Sequence, residues 1–105
     1  MKYKIKYKIN KKKILAIIPA RGGSKGLKNK NILKLKGKTI IQHTINQAKN
    51  SKFISKIAVS TDSYKIQKIS KKEKVWCEQL RPRKISGDKS KLYHAIKFVL
   101  NNIDY

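Results

Sequence analysis

Apolar residues in this chain follow two rhythms. Ile14-Leu-Ala-Ile-Ile18 and Ile57-Ala-Val-Ser60 are short continuous runs rich in β-branched residues, the pattern of strands covered on both faces. Elsewhere the apolar spacing is three and four. Ile40, Ile41, Thr44, Ile45 and Ala48 put one apolar face on a helix over 39–49, with Thr39 as its N-cap. Ile66 and Ile69 do the same for a helix that Asp62 or Ser63 caps and that ends near Lys72. Leu92, Ala95, Ile96 and Val99 share a face of a last helix, opened by Asp88 or Ser90. Pro19 has no N–H to donate and is expected to end the ladder of the first strand. Residues 74–80, with Val75-Trp76-Cys77 at their centre, read as a weaker third strand, and 31–36 as a short connection. His43 lies off its helix's apolar stripe and is expected at the surface.

Strand, helix, strand, helix in that order predicts an α/β fold, a Rossmann-like parallel sheet with helical crossovers. The expected organisation is a basic N-terminal arm over 1–13 followed by part of a single domain over 14–105. In the arm, lysine alternates with Tyr3, Ile5, Tyr7 and Ile9, which suits either a frayed arm or an edge strand or polyanion contact. The apolar run after Lys13 lasts only five residues before Pro19, shorter than a signal peptide needs. No stretch approaches the roughly 20 apolar residues of a membrane span.

Charge changes this picture less than its size suggests. The formal net charge of +23 in 105 residues would ordinarily point to nucleic acid or an acidic membrane surface. Yet the 28 basic residues are 25 lysines and three arginines, Arg21, Arg81 and Arg83, whereas sites shaped for phosphate or guanine favour the arginine fork. The five tyrosines are dispersed and no RNA-binding signature is present. Most of this charge is therefore expected on solvated faces, with weak, salt-sensitive binding to polyanions. The single cysteine, Cys77, excludes an internal disulfide and suits a reducing, cytoplasmic setting in a structural rather than catalytic role.

The chemistry concentrates where the first strand breaks into Pro-Ala-Arg21-Gly-Gly-Ser-Lys-Gly-Leu-Lys-Asn-Lys-Asn31. Gly22, Gly23 and Gly26 permit turns and close approach to a ligand, and Arg21, Lys25, Lys28 and Lys30 add positive charge, a combination suited to a polyphosphate. It is not a Walker loop: Gly37-Lys38-Thr39 occurs, but Ile32 stands where the first glycine should. Nor does 21–26 give the dinucleotide Gly-x-Gly-x-x-Gly fingerprint. In a parallel sheet, ligands sit beyond the carboxyl ends of the strands. The loop at 21–31, Ser-Thr-Asp at 60–62 and Arg81-Pro82 would all gather there.

Four blocks carry a family resemblance: Ile-Pro-Ala-Arg-Gly-Gly-Ser-Lys-Gly-Leu-x-x-Lys-Asn at 18–31, Gly-Lys-Thr-Ile-Ile-x-x-Thr-Ile at 37–45, Val-Ser-Thr-Asp at 59–62 and Leu-Arg-Pro at 80–82. In order and spacing they resemble the acylneuraminate cytidylyltransferases, the CMP-sialic acid synthetases, over about 14–100. The resemblance implies a fold of the nucleotide-diphospho-sugar transferase type, here incomplete. It implies transfer of CMP from CTP to the anomeric hydroxyl of a sialic-acid-like nine-carbon keto-sugar acid, with release of pyrophosphate and a requirement for Mg²⁺. This chain would supply the CTP-binding half, and a homodimer or a completing chain is the implied assembly.

Matched residue by residue, the family pattern makes Arg21 and Lys30 the catalytic cations on the CTP phosphates. Gly22, Gly23, Ser24, Lys25 and Asn31 match positions lining the same loop. Arg81 matches a position near the nucleotide; as a plain residue it could equally be an exposed turn arginine pairing with Asp88. Asp62 could be a helix N-cap or a ligand contact. After Ser-Gly-Asp at 86–88 the family continues with threonine, a small residue and serines that approach cytosine, whereas this chain reads Lys89-Ser-Lys-Leu92. The family's Gln-Pro-Thr-Ser-Pro-Leu-Arg segment and acidic metal-binding pair are expected beyond Tyr105. The five acidic residues present are scattered and offer no metal pair. Two other readings follow from the residues: an inactive or related sugar nucleotidyltransferase fragment that only binds a nucleotide, and a small basic nucleic-acid binder.

Overall fold

The computed structural model describes residues 13–23, 29–82 and 92–104. The arm through Lys12, the loop residues Ser24 and Lys25, and Arg83, Asp88 and Ser90 lie outside them. Strand β1 is Leu15–Pro19 and pairs in parallel with β4, Lys56–Ser60, with Leu15 opposite Lys56 and Pro19 opposite Ser60. The proline does not end the ladder, contrary to expectation. Ala20 N–H donates to Ser60 C=O at 2.9 Å one residue beyond it. Backbone groups alternate sides along a strand, so with Ala20 facing β4 the missing Pro19 donor falls on the opposite side.

The connection after the glycine loop is more structured than the sequence suggested. A 3₁₀ turn, Lys30–Ile32, leads into a hairpin of β2, Lys34–Leu35, and β3, Lys38–Thr39. Its two turn residues, Lys36 and Gly37, both have positive φ, 54° and 83°, as a type I′ turn requires. The Gly-Lys-Thr at 37–39 is thus a hairpin arm. Thr39 ends it by capping helix α1, Ile40–Lys49: its Oγ1 accepts the Gln42 N–H at 3.2 Å while Gln42 Oε1 accepts the Thr39 N–H at 2.8 Å. Such a reciprocal cap is worth about 1 kcal/mol. His43, half-buried off the apolar stripe, has Nε2 2.6 Å from Leu35 C=O and ties α1 to the hairpin.

Helix α2 is Tyr64–Lys72, and Ser63 rather than Asp62 caps it, Oγ accepting the Ile66 N–H at 3.2 Å. The expected third strand shrinks to one parallel bridge between Ala58 and Trp76, held by Trp76 N–H to Ile57 C=O at 3.0 Å and Val59 N–H to Trp76 C=O at 2.8 Å. Its apolar run of three is too short to sustain a ladder between Lys74 and Glu78. The order across the sheet is Trp76, β4, β1.

Side-chain alternation distributes the helices to both faces. Ala16 and Ile18 of β1 and Ile57 and Val59 of β4 join Ile41, Ile45, Ile66, Val75 and Cys77 in one core under α1 and α2. Ser60 points the other way, its Oγ donating to Ala95 C=O at 3.0 Å in helix α3, Leu92–Asn102. Ala95 and Val99 are buried there, but Leu92, expected on the same stripe, is 60% exposed at the helix start. The result is a parallel sheet between helical layers, crossing over through α1 and α2.

Candidate functional site

Three loops leave the carboxyl edge of this sheet, and hydrogen bonds join them. Gly22 N–H, two residues past β1's neighbour Ala20, donates to Asp62 Oδ1 at 2.9 Å. Asp62 follows β4 by two residues, in a turn where Ser63 N–H donates to Thr61 Oγ1 at 3.0 Å. The chain beyond Trp76 returns to the same turn: Arg81 N–H donates to Thr61 C=O at 2.7 Å and its Nη2 to Ser60 C=O at 3.4 Å. Ser60 C=O therefore receives both Ala20 and Arg81, which locks the ends of two elements together.

Arg81 was open between a nucleotide position and an exposed turn, and it is not exposed: only 4% of it reaches solvent. Burial pushes its guanidinium pKa down, nearby Asp62 raises it, and Arg21 pushes it down again. Asp62 and Arg21, from two different loops, thus both lie close enough to Arg81 for their charges to act on it, and Asp88 lies outside the described residues. The N-cap reading of Asp62 is replaced by this one, since Ser63 fills the cap. Sequence reasoning missed the pairing, although five carboxylates among 28 cations make an aspartate at a strand end a signal in itself.

Of the other expected site residues, Asn31 Nδ2 donates to Arg21 C=O at 3.2 Å and closes the glycine loop from its far end. Lys30 is exposed on the 3₁₀ turn, next to Asn29 at φ 57°. Gly22 is required by close packing: a Cβ there would lie 2.8 Å from Ser63 Cβ, whereas one on Gly23 would meet nothing within 4 Å. Cys77 is fully buried and burial pushes its thiol up to about 11, so it is a protonated core residue at neutral pH.

No three His, Cys, Asp or Glu side chains come together among the described residues. Asp62, the carboxylate at the sheet edge, accepts the Gly22 amide and stands beside arginine. No helix among them is long and apolar enough to cross a membrane.

The helix-flanked parallel sheet is the nucleotide-sugar transferase fold. It superposes on a solved CMP:2-keto-3-deoxy-manno-octonic acid synthetase complexed with CTP with a TM-score of 0.72, over 89% of this chain and 36% of that one, at 22% identity. The sequence model of the cytidylyltransferase family matches residues 15–105, and the chain belongs to that family. It is 42% identical to the N-acylneuraminate cytidylyltransferase of Escherichia coli over 90 residues, 85% of this chain and 21% of the relative. To the CMP-N,N'-diacetyllegionaminic acid synthase of Legionella pneumophila it is 40% identical over 84 residues, 80% of this chain and 36% of the relative. The matched segments thus span about a fifth to a third of the length of these relatives.

Proposed function

We propose that this chain forms the CTP-binding part of a cytidylyltransferase that moves CMP from CTP to the anomeric hydroxyl of a sialic-acid-like nine-carbon keto-sugar acid. The hydroxyl oxygen attacks the α-phosphorus and loses its proton, the bond from that phosphorus to the β-phosphate oxygen breaks, and pyrophosphate leaves. Arg21 and Lys30 stabilise the charge that develops on the α-phosphate and the leaving group; Gly22, Gly23, Ser24, Lys25 and Asn31 shape the loop around them, and Arg81 lies toward the nucleotide. Positioning and electrostatics carry most of such a phosphoryl transfer. Family membership and the acids named for the relatives support the substrate class. The observation that carries the reading is the docking of the Arg21 loop onto the Asp62 turn beside Arg81.

Mg²⁺ is proposed as an ion held by the triphosphate and by carboxylates outside the described residues, and no step above runs through it. A reducing, cytoplasmic location fits a buried, protonated Cys77. A homodimer or a completing chain would supply the sugar-acid site. The departure at Lys89 to Leu92 favours a second reading, a related chain that binds a nucleotide without turning it over, because Leu92 offers no hydrogen bond to cytosine.

Calorimetry with CTP, ATP and pyrophosphate in Mg²⁺, at low and moderately high salt, tests the proposal. CTP is expected to bind saturably, more tightly than ATP, and to survive the salt. Arg21→Ala is expected to weaken CTP binding at least about tenfold, the scale of one charge-assisted contact. Equal, salt-labile binding of all three, insensitive to Arg21→Ala, would leave only a charged surface of the nucleic-acid-binding kind.

A further inference from the structure

We infer that Asp62 is a positioning residue, one that sets the Arg21 loop and Arg81 in place for an incoming triphosphate through its hydrogen bond to the Gly22 amide and its charge near Arg81. The inference rests on the nucleotide-binding reading for its consequence, though not for its geometry. Gly22 is the residue next to Arg21, so fixing its amide at 2.9 Å from Asp62 Oδ1 fixes the direction in which Arg21 leaves the backbone. The contact is made tight from the other side, since Gly22 lies where any Cβ would press on Ser63. Arg81, 4% exposed, is held at the same turn by its bonds to Ser60 and Thr61 C=O, where Asp62 favours its charged form while Arg21 opposes it. Two guanidinium groups from separate loops repel, and a carboxylate near Arg81 offsets that repulsion before any phosphate arrives.

A carboxylate at an anion site also costs affinity, so two effects of opposite sign must be separated. Its long-range repulsion of phosphate is screened at moderately high salt, whereas the hydrogen bond that orders the loop is not. Asn offers the same acceptor oxygen without the charge; Ala offers neither. At moderately high salt Asp62→Ala is therefore expected to weaken CTP binding about tenfold, and Asp62→Asn to stay within about threefold of the unchanged chain. Melting temperature serves as the control, because Ser63 rather than Asp62 caps α2.

A readout that does not need the nucleotide accompanies this. In Asp62→Ala the Gly22 amide should shift upfield and exchange with solvent faster, and in Asp62→Asn it should remain protected. If the unchanged chain fails to bind CTP saturably, the proposed function falls while the amide measurement still decides the inference. If the chain binds CTP and Asp62→Ala binds it as tightly at both salts, or if the Gly22 amide is indifferent to both substitutions, the positioning role is overturned.

Discussion

The two ends of the same short sheet are both cationic, and they use their charge in opposite ways. At the amino end, a cavity of about 330 Å³ is lined by Lys49, Lys56 and Lys74 beside Trp76. Its lysines are solvated or paired at the surface: Lys49 Nζ meets Glu73 Oε1 at 3.3 Å with side chains 40% and 22% exposed, and Lys56 Nζ reaches Asp104 C=O at 3.5 Å. At the carboxyl end, Arg81 is buried, held by backbone carbonyls, and set against Asp62 and Arg21. A long flexible lysine in water gives little for its charge, while a guanidinium with its entropy already lost presents a fixed target. In a chain of net charge +23, what distinguishes a site is fixation, not the number of cations.

Substitutions at the two ends should separate sharply. The largest difference is expected within the glycine loop. Gly22→Ala forces a Cβ to 2.8 Å from Ser63 Cβ and should cost more than about tenfold in CTP affinity by calorimetry and lower stability as well, while Gly23→Ala, whose Cβ meets no protein atom within 4 Å, should leave stability nearly unchanged. Next, Arg81→Ala strips the Nη2 donor from Ser60 C=O and removes a buried side chain, an expected loss of about 2 kcal/mol by denaturant unfolding. At the amino end, Lys74 holds φ 63°, so Lys74→Gly should instead stabilise, by about 0.5 kcal/mol in the same assay.

The smallest effect is a pH dependence. The Gln42 hydrogen bond lowers the Glu73 pKa against desolvation, and Lys49 adds to the lowering. A depressed carboxyl contributes stability above its ordinary pKa and loses it as pH falls through the folded value. Thermal unfolding of Glu73→Gln across the acid range should therefore show a flatter decline than the unchanged chain, by a few tenths of a kcal/mol for so exposed a pair.

What the sequence revealed and what it hid divide along the same physical line. β1, β4, α1 and α2 were legible because burial on one or both faces writes itself as continuous runs or as three-four spacing, and Thr39 announced its cap with Gln42 three residues on. The hairpin of β2 and β3 was hidden, since strands of two residues have no period; the readable clue was Gly37 in a two-residue turn after Lys36. Pro19 was misjudged because which side of a strand a missing donor faces depends on the neighbour. The convergence of three loops at the carboxyl edge followed from strand order alone. The partnership of Gly22, Asp62 and Arg81 did not, because it is made by tertiary approach across 40 residues.

That separation has a kinetic consequence. The hairpin and the capped α1 close through contacts a few residues apart and can form locally, whereas β1 meets β4 only after a segment of 41 residues loops back to bring Ile14 to Ser55. The Gly22 to Asp62 bond closes a loop of the same size, so it waits for the same slow search. During refolding, helix signal should thus appear ahead of the Asp62 contact, and capture of a triphosphate would mark the moment the sheet is made.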